Sequence, residues 1–276
     1  MAQPTEGRAP AYIDTTKASI ARVYDYALGG KDNYEVDRET IERVRKVAPE
    51  VNQLAVDNRA FLIRAARFIA TQTSITQYLD CGSGLPTAEN THQIVQRLQP
   101  EARVAYVDND PTVIAHGRAL LEDDDQTMFS PADIRDPAAV LGDPAIQEFL
   151  DLEQPIALFQ IGTIHHFADA DDPRRIMAEF VERLPVGSFV AVAHFFDPEN
   201  ADTELARRME QVFVHSPMGS GRFRTRAELE GLFPGLDMIE PGVVPCFQWW
   251  PDGPQISQED PVQRCIAGGV GVKREG

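Results

Sequence analysis

The sequence predicts a mainly parallel, seven-stranded, doubly wound α/β sheet with a carboxyl-terminal antiparallel hairpin and an amino-terminal helical cap. Three observations predict it. Helical periodicity runs to about residue 72, strand-like and helix-like stretches alternate after residue 75, and a glycine-rich turn, "YLDCGSGLPT", falls where the first strand should end. Alternating strands and helices build βαβ units whose parallel sheet is covered on both faces. The 276 residues suffice for one large domain with a substantial core.

Residues 1–14 are polar and contain proline, and are expected to form a flexible arm. Residues 15–74 are expected to form the helical cap and residues 75–276 the sheet-bearing domain. In "SIARVYDYAL", Ile20, Val23, Tyr24 and Ala27 share one helical face. "GGKDN" breaks that helix, because paired glycines favour a turn. "YEVDRETIERVRKVA" reads as a second amphipathic helix with Val36, Ile41, Val44 and Val47 as its apolar stripe. Pro49 ends it and suits the first turn of a third helix, "PEVNQLAVDNRAFLIRAARFIATQ".

Strands are expected at "TQYLDC", "RVAYVD", "TMFSPAD", "IALFQIG", "SFVAVAHF", "DMIEP" and "RCIAGGVGV". Helices among them should begin near Pro111, Pro137 and Pro173. The last two strands are joined by a long loop with no helical pattern, so they are expected to pair antiparallel.

The net charge of −17 repels phosphate backbones and argues against a nucleic-acid partner. Cys81, Cys246 and Cys265 are too widely spaced for a disulfide framework or a zinc cluster, which suits a reducing compartment. "MAQPTEGRAP" has no apolar stretch, and no apolar run approaches the ~18 residues that cross a bilayer. A cytoplasmic protein without a membrane partner is expected.

Ligands of open parallel sheets bind beyond the carboxyl ends of the strands, where Gly82 and Gly84 should lie. The dinucleotide fingerprint needs a third glycine, but this chain has Thr87 there, preceded by Pro86. Asp80 at the strand tip would also disfavour a pyrophosphate. Asp108 ends the second strand and can accept from both hydroxyls of a ribose, with Asn109 beside it. Asp133 ends the third and can take the exocyclic amine of adenine, with Ile134 against the ring. Gly162 closes the fourth strand of the same ligand site. Three successive acids suit a cationic, adenosine-bearing ligand, although aspartate also favours strand ends and helix caps for structural reasons.

The pattern D-x-G-x-G-x-x-T over residues 80–87, with the strand order over residues 75–273, resembles the class I, seven-stranded Rossmann-like methyltransferases that use S-adenosylmethionine. The resemblance implies that Asp80, Gly82 and Gly84 flank the methionine moiety, Asp108 holds the ribose, and Asp133 and Ile134 face the adenine. It implies S-adenosyl-L-methionine as cofactor, S-adenosyl-L-homocysteine as product, and the terminal antiparallel hairpin. "IARVYDYALGGKDNYEVDRE", "DNRAFLIRAARF" and "WWPDG" are similar to segments of the actinobacterial S-adenosyl methyltransferase family, formerly a domain of unknown function. That resemblance extends over nearly the whole chain. The family commonly has Trp-Arg-Pro where this chain reads Trp249-Trp250-Pro251, so one cation is missing. It implies the cofactor but no particular acceptor.

The helical cap is expected to place Tyr26, Gly30, Lys31, Asp32 and Asn33 over the cofactor, with Arg59 pairing its carboxylate. The alternative is a solvated interhelical turn. His165, His166 and His194 stand at strand ends as candidate general bases, against an ordinary hydrogen-bonded structural role. No metal is expected, because adjacent histidines point in different directions and no acid motif accompanies them. Thr225 and Glu228 form a capping box. Met and Phe residues of "FVHSPMGSGRF", together with Trp249 and Trp250, line an acceptor site or belong to the core. The expected function is methyl transfer to a small-molecule acceptor. The alternatives are a nicotinamide-dependent oxidoreductase and a non-catalytic, S-adenosylmethionine-binding regulatory protein.

Overall fold

The computed structural model describes residues 13–86, 89–121, 125–254 and 259–275. Thr87 and residues 1–12 of the expected arm lie outside the described residues. Three helices come first: α1 (Ile20–Ala27), α2 (Glu35–Arg45) and α3 (Asn52–Gln72). Pro49 lies in the turn between α2 and α3 instead of inside the first turn of α3.

Strands β1 (Gln77–Cys81), β2 (Arg103–Val107), β3 (Thr127–Ser130), β4 (Ala157–Ile161) and β5 (Phe189–Phe195) follow. Between them run α4 (Thr91–Gln96), α5 (Pro111–Leu121), α6 (Pro137–Leu141), α7 (Pro144–Phe149) and α8 (Pro173–Arg183). The prolines at the heads of α5, α6 and α8 sit where their missing N–H costs nothing. After β5 come α9 (Thr203–Val214), α10 (Arg226–Glu230), β6 (Asp237–Met238), β7 (Val244–Pro245) and β8 (Ile266–Val272).

Among the described residues these strands form one sheet in the order β3-β2-β1-β4-β5-β8-β6, with β7 also paired to β8. Pairs within β1–β5 are parallel, and β8 runs antiparallel to β5, β6 and β7. The antiparallel end therefore forms as expected, with a correction to the strand count. The loop after β6 returns as the two-residue β7 and pairs Val244 with Gly268.

Side chains alternate across the sheet as the pleat requires. Ala157, Phe159 and Ile161 join one core cluster with Val23, Ile41, Leu54 and Phe61 of the amino-terminal helices. Leu158 joins the opposite cluster with Val140, Ile146, Phe180 and Leu229. Helices α1–α3 thus share the core of the sheet face they cover. Arg22 of α1 and Asp37 of α2 form a buried pair at 2.8 Å. Arg22 also donates to the Thr112 hydroxyl at 3.3 Å, and Ser19 donates to the Asp110 carboxylate. These bonds hold the head of α1 over the carboxyl ends of the strands.

Candidate active site

The strand tips and helices α1–α3 enclose a cavity of about 520 Å³, within the ~300–1,000 Å³ of small-molecule sites. A smaller hollow of about 310 Å³ lies at the opposite end of the strands, beside Leu141, Ile156 and Arg183. Only the larger one gathers the acids and glycines of the strand tips.

The turn after β1 leans on β2, where the Gly82 amide donates to the Val107 carbonyl at 2.7 Å. Gly82 and Gly84 have φ of +73° and +67°, a left-handed conformation that other residues adopt at a cost of ~1–2 kcal/mol. A Cβ on Gly82 would lie 2.2 Å from the Thr163 methyl, whereas one on Gly84 would meet nothing within 4 Å. Gly84 therefore leaves open a cradle that a side chain would fill. Helix α4 does not begin until Thr91, so the turn does not run directly into a helix N-terminus that would hold a pyrophosphate.

Asp108 lies one residue past β2. Its Oδ2 accepts from the Gly84 amide and its Oδ1 from the Asp110 amide, both at 2.9 Å. Each oxygen keeps capacity for one more donor. Burial pushes the Asp108 carboxyl up to about 6. Asp80 is buried, accepts from the Thr91 hydroxyl at 2.6 Å, and is likewise raised by burial. Arg59 of α3 lines the same cavity, donates to the Glu89 carbonyl and opposes that rise with its charge.

Asp133 lies beyond the end of β3, which stops at Ser130, and not on the strand tip as the sequence suggested. The Arg135 guanidinium grips it, with Nε 3.0 Å from both oxygens, and holds its carboxyl below the ordinary range. Ile134 stands behind Gly82, and Asn109 is exposed on the rim. Gly162 faces Asn58, whose Nδ2 would sit 2.8 Å from a Cβ placed there.

Sequence reasoning did not single out Tyr24 and Asn58 as cavity residues. The Tyr24 hydroxyl donates to the Ala55 carbonyl at 3.2 Å and accepts from Asn58 Nδ2 at 3.0 Å. This fixes the amide and leaves Asn58 Oδ1 buried without a partner among the described residues. An unmatched buried acceptor costs ~1–3 kcal/mol. The signal was present in "DNRAFL", where Asn58 occupies a buried position of α3.

The acids, the open glycine cradle and the unmatched amide oxygen fit a ligand bearing a ribose and a cationic amino-acid end. Residues 6–274 match the family model of S-adenosyl methyltransferases. The chain belongs to that family.

The methyltransferase is 36% identical to a candidate methyltransferase from Thermobifida fusca, covering 97% of this chain and 99% of the other at a TM-score of 0.91. It is also 36% identical to a DUF574-family protein from Streptomyces avermitilis, covering 94% of this chain and 99% of the other at a TM-score of 0.87. An O-methyltransferase family protein from Burkholderia thailandensis shares the fold at 12% identity and a TM-score of 0.52, over 84% of this chain and 62% of its own. No protein of curated function matches the chain in sequence. The cofactor is S-adenosylmethionine, and the nicotinamide alternative is overturned by the family match. Among the described residues no helix is long and apolar enough to cross a membrane.

Two of the methyltransferase's three singled-out histidines line its cavity. His165 is buried and stacked on Phe195 at 3.7 Å, with its Nδ1 accepting the Phe195 amide at 3.3 Å. His166 lies with Nδ1 2.9 Å from the Ser220 hydroxyl. Its Nε2 is the ring nitrogen that Ser220 does not engage. Burial pushes His166 down to about 3, so the ring is neutral at physiological pH.

His194 does not stand at the mouth, contrary to the expectation. It is fully buried, its Nδ1 donates to the Phe195 carbonyl, and Arg224 Nη1 lies 2.8 Å from its Nε2. Neighbouring strand residues face opposite ways, and Phe195 takes the cavity side.

The glycine turn of the helical cap also departs from expectation. None of Tyr26, Gly30, Lys31, Asp32 and Asn33 lines the cavity. The Tyr26 hydroxyl donates to Glu42 at 2.7 Å. The Asp25 carboxylate gathers the turn, accepting from the Asp32 amide at 2.9 Å and from Asn33 Nδ2 at 2.7 Å. A Cβ on Gly30 would fall 1.9 Å from that carboxylate, which explains the glycine. Thr225 and Glu228 do form the capping box of α10. The tryptophans divide: Trp249 is fully buried against Phe61 and Phe68, and Trp250 is half exposed. Phe213 and Met218 line the cavity.

Proposed function

We propose that this methyltransferase transfers a methyl group to a small-molecule acceptor that enters the same cavity as the cofactor. The observation carrying the proposal is the division of the cavity wall. Acids and glycines of the strand tips form one side, and apolar side chains of α1–α3, β5 and α9 form the other. A net charge of −17 supports a small acceptor over a nucleic acid.

Asp108 would accept the ribose hydroxyls, and Asp133 with Ile134 would border the adenine. Asp80 and Asn58 Oδ1 would face the cationic amino-acid end, with Arg59 toward its carboxylate. The bound S-adenosylmethionine supplies an electrophilic methyl on a sulfonium that becomes neutral as the methyl leaves. The chain's own part is alignment and exclusion of water, which supply up to ~7–11 kcal/mol in ideal cases.

His166 meets the acceptor as a neutral imidazole. A base titrating near 3 has little affinity for a proton at neutral pH, so its part is to orient an acceptor hydroxyl or amine by hydrogen bonding. His165 supports that ring from behind, at 4.3 Å between centroids.

Calorimetric titration with S-adenosylmethionine, S-adenosylhomocysteine and NAD, on the wild type and Asp108→Ala, tests the cofactor half. A mass-spectrometric screen for methylated small molecules tests the rest. Methylation confined to nucleic acid or protein would overturn the proposal.

A further inference from the structure

The apolar part of the cavity wall, at the end of β5 and along α9, has a chemical character of its own. His165 stacks on Phe195 at 3.7 Å with planes 9° apart. Phe213 and Phe223 lie nearly parallel to Phe195, at 5.3 and 4.8 Å and at 21° and 22°. Phe195 and Phe213 line the cavity together with Met218. Phe195, stacked by His165, Phe213 and Phe223, has its faces covered and presents its edge, and an aromatic edge carries the positive end of the ring quadrupole. Such edges attract the electron-rich face of another ring. The thioether of Met218 adds an adaptable, polarisable contact.

The charges restrict the ligand further. Among the described residues, Asp80, Asp108, Asp110, Asp133 and Asp171 line the cavity against only Arg59 and Arg135. Arg135 is engaged by Asp133, and Arg59 donates to the Glu89 carbonyl. An anionic acceptor would therefore enter a field dominated by acids. A neutral polar group finds a partner in His166, whose Nε2 is the ring nitrogen not committed to Ser220.

Building on the proposed small-molecule methyl transfer, we infer that the acceptor is an uncharged aromatic compound bearing a hydroxyl or amine. Its ring lies against Phe195, Phe213 and Met218, and its polar group hydrogen-bonds to His166 Nε2. The carboxylated analogue of the same compound is excluded by charge, and the saturated analogue loses the ring-edge attraction.

The test uses the full chain saturated with S-adenosylhomocysteine and reads binding directly by calorimetry, without turnover. The probes are 2-naphthol, its saturated analogue 2-decalol, and 3-hydroxy-2-naphthoic acid. 2-Naphthol is expected to bind about tenfold or more tighter than either of the others. Phe213→Ala and Met218→Ala are each expected to weaken 2-naphthol while S-adenosylhomocysteine affinity stays within a factor of about two. His166→Phe is expected to weaken 2-naphthol but not naphthalene. Equal binding of 2-decalol would overturn the aromatic assignment, and preferential binding of the acid would overturn the charge argument. Bound S-adenosylhomocysteine with no binding of 2-naphthol would overturn the inference and leave the cofactor site standing. Failure of S-adenosylhomocysteine itself to bind would overturn the underlying reading, and this inference with it.

Discussion

The amide of Gly84 donates to Oδ2 of Asp108 at 2.9 Å, joining the turn after β1 to the tip of β2. The same carboxylate receives the Asp110 amide, so it is oriented before any ligand arrives. That preparation is made in a buried place, which raises the carboxyl from 3.8 to about 6.

The rise gives two pH dependences of opposite sign. In the unliganded protein the stability that Asp108 contributes is full below 3.8 and is lost as pH rises through about 6. Ribose hydroxyls donate to the charged form, so S-adenosylhomocysteine affinity should be flat above about pH 6 and fall about tenfold per unit below it. Asp108→Asn should flatten that profile and weaken binding by about 100-fold. Calorimetry from pH 5 to 8 measures both.

Gly82 and Gly84 should respond differently to alanine. Gly82→Ala meets the Thr163 methyl at 2.2 Å and should destabilise the fold by more than the ~1–2 kcal/mol of its left-handed backbone. Gly84→Ala meets nothing, so its stability loss should stay near ~1 kcal/mol while cofactor affinity falls because the new methyl fills the cradle. Denaturant unfolding alongside titration separates the two effects.

Asn58→Ala should weaken S-adenosylmethionine binding by about 10–100-fold, the range of a hydrogen bond to a charged group. Its unpartnered Oδ1 costs the unliganded protein energy, so thermal stability should change little. Equal affinity of the variant and the wild type would remove Asn58 from the site.

Arg224 should be structural. It donates to His194, to the Phe167 carbonyl at 3.0 Å and to the Ile164 carbonyl at 3.4 Å, holding the chain beyond β4 under the cavity. Arg224→Met leaves those buried acceptors unmatched and should cost at least ~2 kcal/mol in denaturant unfolding. Arg135→Met breaks a partly exposed pair and should cost less than ~1 kcal/mol. Burial and the Arg224 charge lower His194 to about 3, so its contribution to stability is full above 6.5 and is lost as pH falls toward 3.

The tryptophan pair should split in the same assay. Trp249→Ala empties a fully buried position and should cost ~3–5 kcal/mol. Trp250→Ala removes a half-exposed ring and should cost below ~1 kcal/mol.

Much of the fold was legible because it rests on local rules. Strand-like stretches alternating with helical ones marked β1–β5, helical periodicity marked the amino-terminal helices, and proline at a helix head marked α5, α6 and α8. The antiparallel pairing of β6 with β8 was expected from the sequence, whereas the two-residue β7 is too short to carry a pattern and its pairing with β8 emerges only from the sheet. In the site, Asp80, Gly82, Gly84 and Asp108 were legible, since a strand tip and its turn are set by a few adjacent residues.

What the sequence by itself determined was the order of strands and helices, the glycine turn and the acids that follow β1 and β2. These depend on backbone preference and spacing along the chain. Tertiary structure alone decided which side chains look inward. Tyr26 stays outside the cavity, its hydroxyl held by Glu42. His165 and His166 border it and His194 does not, because the pleat of β5 turns His194 to the face where Arg224 is buried. Asn58 left its oxygen unmatched only because Tyr24, distant in sequence, claimed the other end of its amide. Each of these outcomes depends on a partner brought close by folding, and a position along the chain carries no record of that partner.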